Sequence, residues 1–214
     1  MIELLENLLA DFLPLLLAGM VINFEISAIA LALGLALGLP LAAARLYGGA
    51  AGGVAASLIA LMRAAPTFVV MFFLLNAIPR DATLFGAPLA LSGVMIVALS
   101  LVPYSTAYAA DSGVEALEQL RAGSQLGALL FLPNIPRAFF VLVMSSGAAA
   151  AIGVSEGISV ILRQAEHLPA LGDRLVLFGL GVVCFGVPLQ LGFGLIRWVQ
   201  RALGRRMMRK PAAA

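Results

Sequence analysis

Three charged side chains sit inside long apolar runs: Glu25, Arg63 and Glu156. A charge at the centre of a bilayer costs about 2.5–3.5 kcal/mol or more, so such residues face a cavity, a partner or the interface. Glu25 reads either as a pathway or proton-relay carboxylate or as a residue near the outer interface. Arg63 precedes fifteen mostly apolar residues and stands three before Pro66, which weakens a helix and frees backbone carbonyls. It is expected to meet a carboxylate, that of Glu156 or of a bound solute, or else to be structural. Glu156 lies in AIGVSEGIS, where Gly153 and Gly157 loosen the helix. It reads either as a pathway carboxylate or as an interfacial residue close to Arg163.

The same survey argues against catalysis. There is no nucleophile–base pair and no GxxxxGK[ST] phosphate loop, so no catalytic residue is assigned and no ATP hydrolysis is expected of this chain. The single Cys184 and single His167 provide neither a disulfide framework nor a metal cluster, so metal and cofactor are expected to be none. Cys184 reads as a small buried apolar residue, Trp198 as an interfacial anchor and His167 as a solvated loop residue.

The elements that carry these residues must live in lipid. Of 214 residues, 62% are hydrophobic and 11% charged. Soluble domains hold about 25% charged residues. The expected fold class is an all-α membrane protein of one domain, 1–214, with about five transmembrane helices over 12–45, 54–79, 89–110, 137–162 and 175–199. Residues 1–11 are acidic and lack the positive start of a cleaved signal. Residues 111–136 form the longest polar interruption and are expected to be a loop. The small run Ser145 to Ala151 suits close helix packing.

Basic residues set the expected orientation. With the C-terminus cytoplasmic, the inside segments hold nine: Arg45, Arg121, Arg137, Arg197, Arg201, Arg205, Arg206, Arg209 and Lys210. The outside segments hold three: Arg80, Arg163 and Arg174. The positive-inside rule then places the N-terminus outside and the 111–136 loop in the cytoplasm. A basic tail beside a span marks a cytoplasmic end, so no nucleic-acid partner is expected.

The order of parts resembles the permease subunits of ABC importers for polar amino acids, the histidine/glutamine/arginine/opine type. The resemblance covers about Gly19 to Arg201. GMVINFEISAIALALGLALGLPLAAARLYG is similar to that family's first span. Leu61-Met62-Arg63-Ala64-Ala65-Pro66 stands where the family has a pattern close to ELFRGTP. ALSLVPYSTAYAAD resembles its third span, and AIGVSEGI its IGVPEL. Gln119 to Gly127 fits the frame of its coupling helix, QxxEAAxxLG.

The resemblance implies a type I permease fold in the bacterial cytoplasmic (inner) membrane. It implies a second permease protomer, in a homo- or heterodimer, two cytoplasmic ATP-binding subunits, an extracytoplasmic solute-binding protein, and ATP bound on the partner subunit alone. It implies a coupling loop of Glu115, Gln119, Arg121, Ala122, Gly123, Leu126 and Gly127. The translocation path for an amino acid or similar small solute is expected along Arg63, Tyr104, Ser145, Ser146 and Glu156.

This chain departs from the pattern in several places. Arg121 stands where the pattern has Glu, and Pro133 follows Gly127 by six residues where the family runs about a dozen. The Arg common after the third span has no match near Asp111. Met144-Ser145-Ser146-Gly147 replaces a charged KDTS-like stretch, and Val70 replaces a Gln. A second expectation therefore stands beside the first: a divergent membrane interaction subunit no longer coupled to an ATPase. An intramembrane enzyme would need paired catalytic groups, which the sequence lacks.

Overall fold

The computed structural model describes residues 10, 12–77, 83–84, 87–88 and 91–208. Two expectations fall partly outside them: the acidic N-terminal stretch with Glu3, Glu6 and Asp11, and the loop residue Arg80. So do the end of the second expected span at 78–79, the start of the third at 89–90, and Arg209 and Lys210 of the tail.

The chain is built almost wholly of helices. In order these are α1 (Leu13–Tyr47), α2 (Gly49–Ala64), α3 (Thr67–Ala77), α4 (Gly93–Arg121), α5 (Gln125–Ala128), α6 (Asn134–Ser145), α7 (Gly157–Glu166) and α8 (Leu171–Met208). Short 3-10 segments at Leu129–Phe131 and Ser146–Ile152 flank α6. A two-residue antiparallel ladder, β1 (Thr83–Leu84) with β2 (Ala87–Pro88), pairs Thr83 with Pro88.

Among the described residues four helical stretches are long and apolar enough to cross a membrane: Leu13–Tyr47, Gly93–Arg121, Asn134–Ile152 and Leu171–Arg205. A fifth crossing is available if the bent pair α2 and α3 counts as one span. Only helices satisfy every backbone group within the hydrocarbon region without neighbours, which is why apolar runs of this length become helical.

The structure corrects three boundaries. The expected second span is not one helix, since α2 and α3 meet at a bend of 92°. Pro66 disfavours helical geometry at Ala65, whose ψ of 116° is extended. The expected fourth span, 137–162, is broken after Ile152. There Gly153 takes a φ of +81°, a left-handed conformation that ends the 3-10 segment. The expected loop from 111 is helical as far as Arg121, because α4 continues through Asp111, Glu115 and Glu118. Polar residues there report a change of surroundings, and leave the backbone pattern unaltered.

The described chain divides into two compact units, whose boundaries fall within α1, α4, α6 and α8 and between α2 and α3. One comprises 1–29, 67–101 and 142–188, the other 30–66, 102–141 and 189–214.

In the second unit, α1 and α4 touch backbone to backbone through small residues. A Cβ on Gly34 would stand 2.8 Å from the Ser105 carbonyl carbon, and one on Gly38 would stand 2.6 Å from the Thr106 oxygen. Gly113 continues the seam against Ala42. In lipid, helices associate by close packing of this small-xxx-small kind. Ile59 of α2, Ala107 and Ala110 form the buried apolar core beside it, with Leu41 and Met62 packed on its edge.

Candidate functional site

The first unit holds a buried polar junction at the break between α6 and α7. Asn23, Ser27, Ser146 and Glu156 all have 0% exposure. Glu156 has an extended backbone and caps α7: Oε2 accepts from the Ile158 N–H at 2.7 Å and Oε1 from the Ser159 N–H at 2.7 Å. A carboxylate suits this position because the first amides of a helix lack intrahelical acceptors and carry positive partial charge.

Asn23 ties the capping carboxylate to α1 and α6. Its Nδ2 donates to Glu156 Oε2 and to Ser146 Oγ, each at 2.8 Å. Its Oδ1 accepts from the Gly157 N–H at 2.8 Å. Ser146 Oγ donates to the Val143 carbonyl at 2.7 Å, and Ser27 Oγ donates to the Asn23 backbone carbonyl at 2.6 Å. Each donor of the Asn23 amide group is thus placed, and both carboxylate oxygens accept. A buried charge left without such partners would cost several kcal/mol.

Glycines let the backbones close on this junction. A Cβ on Gly19 would stand 2.7 Å from the Gly157 nitrogen and 2.8 Å from the Glu156 carbonyl carbon. These are backbone atoms that cannot swing aside. A Cβ on Gly157 would meet Phe185 at 2.8 Å.

The junction has no reactive group free to attack a substrate. It fixes a discontinuous helix inside a membrane protein, and irregular backbone at that depth is tolerated where it is buried in protein or lines a cavity. Among the described residues no group of three possible metal ligands occurs.

Glu25 lies two residues beyond Asn23 and is turned the other way. It is exposed on α1 and makes no ion pair among the described residues. It is the only acidic residue between Leu13 and Tyr47.

In the second unit, Asp111 of α4 joins the ends of two other helices. Its Oδ2 accepts from Arg63 at 2.5 Å and its Oδ1 from Arg45 at 3.3 Å. Arg63, expected to meet the carboxylate of Glu156 or of a solute, pairs with Asp111 of its own unit, and Glu156 is held by Asn23 and the α7 amides. Arg63 lies near the end of α2, so this pair anchors the helix just before its break at Ala65–Pro66.

Arg121, where the family pattern is acidic, is turned onto the end of α1. Its Nη1 donates to the Leu46 carbonyl at 3.0 Å, and its guanidinium lies 5.6 Å from the centre of the Tyr47 ring. The orphan carbonyls of a helix C-terminus favour a cation there.

The remaining residues assigned to the coupling loop form a tight hairpin. Gly123 takes a φ of +79°, and the Ser124 N–H donates to the Gln119 carbonyl at 2.8 Å. The Gly127 N–H donates to Ser124 Oγ at 3.0 Å, and a Cβ on Gly127 would collide with Gln119 Oε1. Glu115, Gln119 and Ala122 are exposed, and Leu126 lies in α5.

The five residues expected along a path are distributed between the units. Ser146 and Glu156 meet through Asn23, with Ser145 half-buried beside them. Arg63 and Tyr104 belong to the other unit, where the Tyr104 and Tyr108 rings lie 6.1 Å apart. Asn23 is the residue that sequence reading missed. Its signal was an amide in the middle of an apolar run, where an unpaired polar group is costly. Cys184, expected to be buried, is half-exposed, and Trp198 is exposed.

No protein-family model matches the chain, and no curated protein matches it. Among solved structures the chain is similar to a chain in the crystal structure of an amino acid ABC transporter with histidines. The two share 18% identity over 92% of this chain and 99% of that one, with a TM-score of 0.58. The likeness shows that this chain shares its helical fold with that transporter chain.

Proposed function

We propose that the chain is the membrane-spanning permease subunit of an ATP-driven ABC importer. It forms, with a second protomer, the path for an amino acid or similar small solute. The observation that carries this reading is the fold likeness, which runs through 92% of the chain. Glu25 supports it. An exposed carboxylate on a spanning helix is costly against lipid, and the cost is removed if it faces a polar path. We assign it to that path as the group that meets the solute's ammonium.

In this reading the N-terminus is outside and the C-terminus is in the cytoplasm of a bacterial cell. An extracytoplasmic binding protein delivers solute, and two ATP-binding subunits dock on the hairpin of Gln119 to Gly127. Closure of the ATPases moves that hairpin, and α4 carries the motion as a rigid body. A short hairpin and an Arg121 engaged with Leu46 also fit a subunit that has lost ATPase contact. The test is uptake into vesicles containing this chain with its co-purified partners. ATP-dependent accumulation of an amino acid supports the importer. Assembly of partners without accumulation supports the uncoupled subunit.

A further inference from the structure

The first unit also contains a cleft of about 450 Å³ that the polar junction does not use. Phe12, Leu15, Ala18 and Ile22 of the α1 region form its apolar wall, and Arg163 of α7 and His167, which caps that helix, also line it. We propose that this cleft binds an anionic phospholipid, with the phosphate on Arg163 and an acyl chain along the α1 wall.

Charge complementarity carries the phosphate end. Arg163 donates from Nη2 to Ser155 Oγ at 2.9 Å and Ser159 Oγ at 3.3 Å, and from Nε to the Ser159 carbonyl at 3.3 Å. All three acceptors are neutral, and Arg163 makes no ion pair among the described residues. The guanidinium is therefore held in place by neutral acceptors through Nε and Nη2, which leaves its Nη1 donors for a ligand. Planar guanidinium donors match phosphate oxygens. His167 stands one helical turn further along the same face.

Position carries the lipid end. The wall begins at Phe12 and follows the first turns of α1, which starts at Leu13. That is where a spanning helix leaves the headgroup layer for hydrocarbon. Leu15 is 62% exposed. A small polar solute has no hydrocarbon to cover Leu15 and Ala18, whereas an acyl chain does. Basic pockets beside spanning helices bind anionic headgroups by this combination. The inference rests on the membrane-spanning fold alone and stands whether or not the chain transports.

The test is native mass spectrometry of the complex as purified, after exchange into equal amounts of phosphatidylglycerol and phosphatidylcholine. Wild type is expected to retain phosphatidylglycerol about tenfold better, the scale of a charge-assisted hydrogen bond. Arg163→Gln is expected to lose that preference, and Arg163→Lys to keep part of it. Ala18→Phe fills the wall without touching Arg163 and is expected to lower retention, which keeps the test open if Arg163→Gln fails to fold. Equal retention of the two lipids by wild type would overturn the proposal. So would a preference unchanged in both Arg163→Gln and Ala18→Phe. Displacement of the lipid by free glycerol phosphate or by an amino acid would instead make the cleft a site for a soluble anion, and would equally overturn it.

Discussion

Asn23 Nδ2 lies 2.8 Å from Glu156 Oε2, although 133 residues separate them in the chain. This bond joins the middle of the first spanning helix to the cap of α7. The same amide also holds Ser146 Oγ and the Gly157 N–H, so its loss removes three buried hydrogen bonds and leaves the Gly157 N–H without its acceptor. Asn23→Ala is expected to destabilise the protein by about 1–3 kcal/mol, the cost of leaving a buried polar group unsatisfied. Asn23→Asp is expected to do no better, because it places a second carboxylate against the first. Thermal unfolding in detergent measures both. A loss below about 1 kcal/mol for Asn23→Ala, the net value of one ordinary hydrogen bond, would show that the junction is not a buried network.

Gly19→Ala tests the backbone contact on which the junction rests. The new methyl meets Gly157 and Glu156 main-chain atoms, so either the helices separate or the cap distorts. Overpacking of this kind costs about 1–3 kcal/mol. At Gly172 nothing lies near an added Cβ, so Gly172→Ala is the control expected to be neutral or slightly stabilising. Equal unfolding temperatures for the two variants would contradict the packing.

Apolar run length gave the spans, because lipid admits little besides helix. Pro66 announced the break between α2 and α3, and Gly153 with Gly157 announced the one before α7. The partner of Glu156 was not legible, since hydrogen bonds between distant spans leave no local pattern. The pairing of Arg63 with Asp111 leaves no local pattern for the same reason. The stretch from Asp111 to Arg121 was read as loop because it is polar, yet polarity reports the solvent and α4 simply continues. The Gly34–Gly38 seam against Ser105 and Thr106 was equally hidden, because a small residue marks close approach without naming what approaches.

The Arg63–Asp111 pair is expected to matter little for stability. Both side chains are about half exposed, at 58% and 41%. Exposed pairs contribute roughly 0–1 kcal/mol. A double-mutant cycle of Arg63→Gln and Asp111→Asn should give a coupling energy in that range, read from unfolding in detergent. A coupling of several kcal/mol would mean that the pair is sealed from water in the assembled protein.

Glu25→Gln separates recognition from folding. Glu25 makes no ion pair among the described residues, so the unfolding temperature should stay within the error of the measurement. Uptake of a solute with a free ammonium group should show KM raised about tenfold, as for one lost charge-assisted hydrogen bond. An unchanged KM would remove Glu25 from the path.

The central claim is that the chain works as an ATP-coupled permease, and co-purification tests it most directly. The chain is tagged at its C-terminus, and membranes are solubilised under conditions that preserve complexes. The account predicts recovery of an ATP-binding subunit whose hydrolysis is stimulated by the complex. It also predicts loss of that subunit when the exposed Gln119 and Leu120 are both changed to Asp, with the unfolding temperature retained. Recovery of a second membrane subunit alone, or of an ATP-binding subunit indifferent to the hairpin changes, would contradict it.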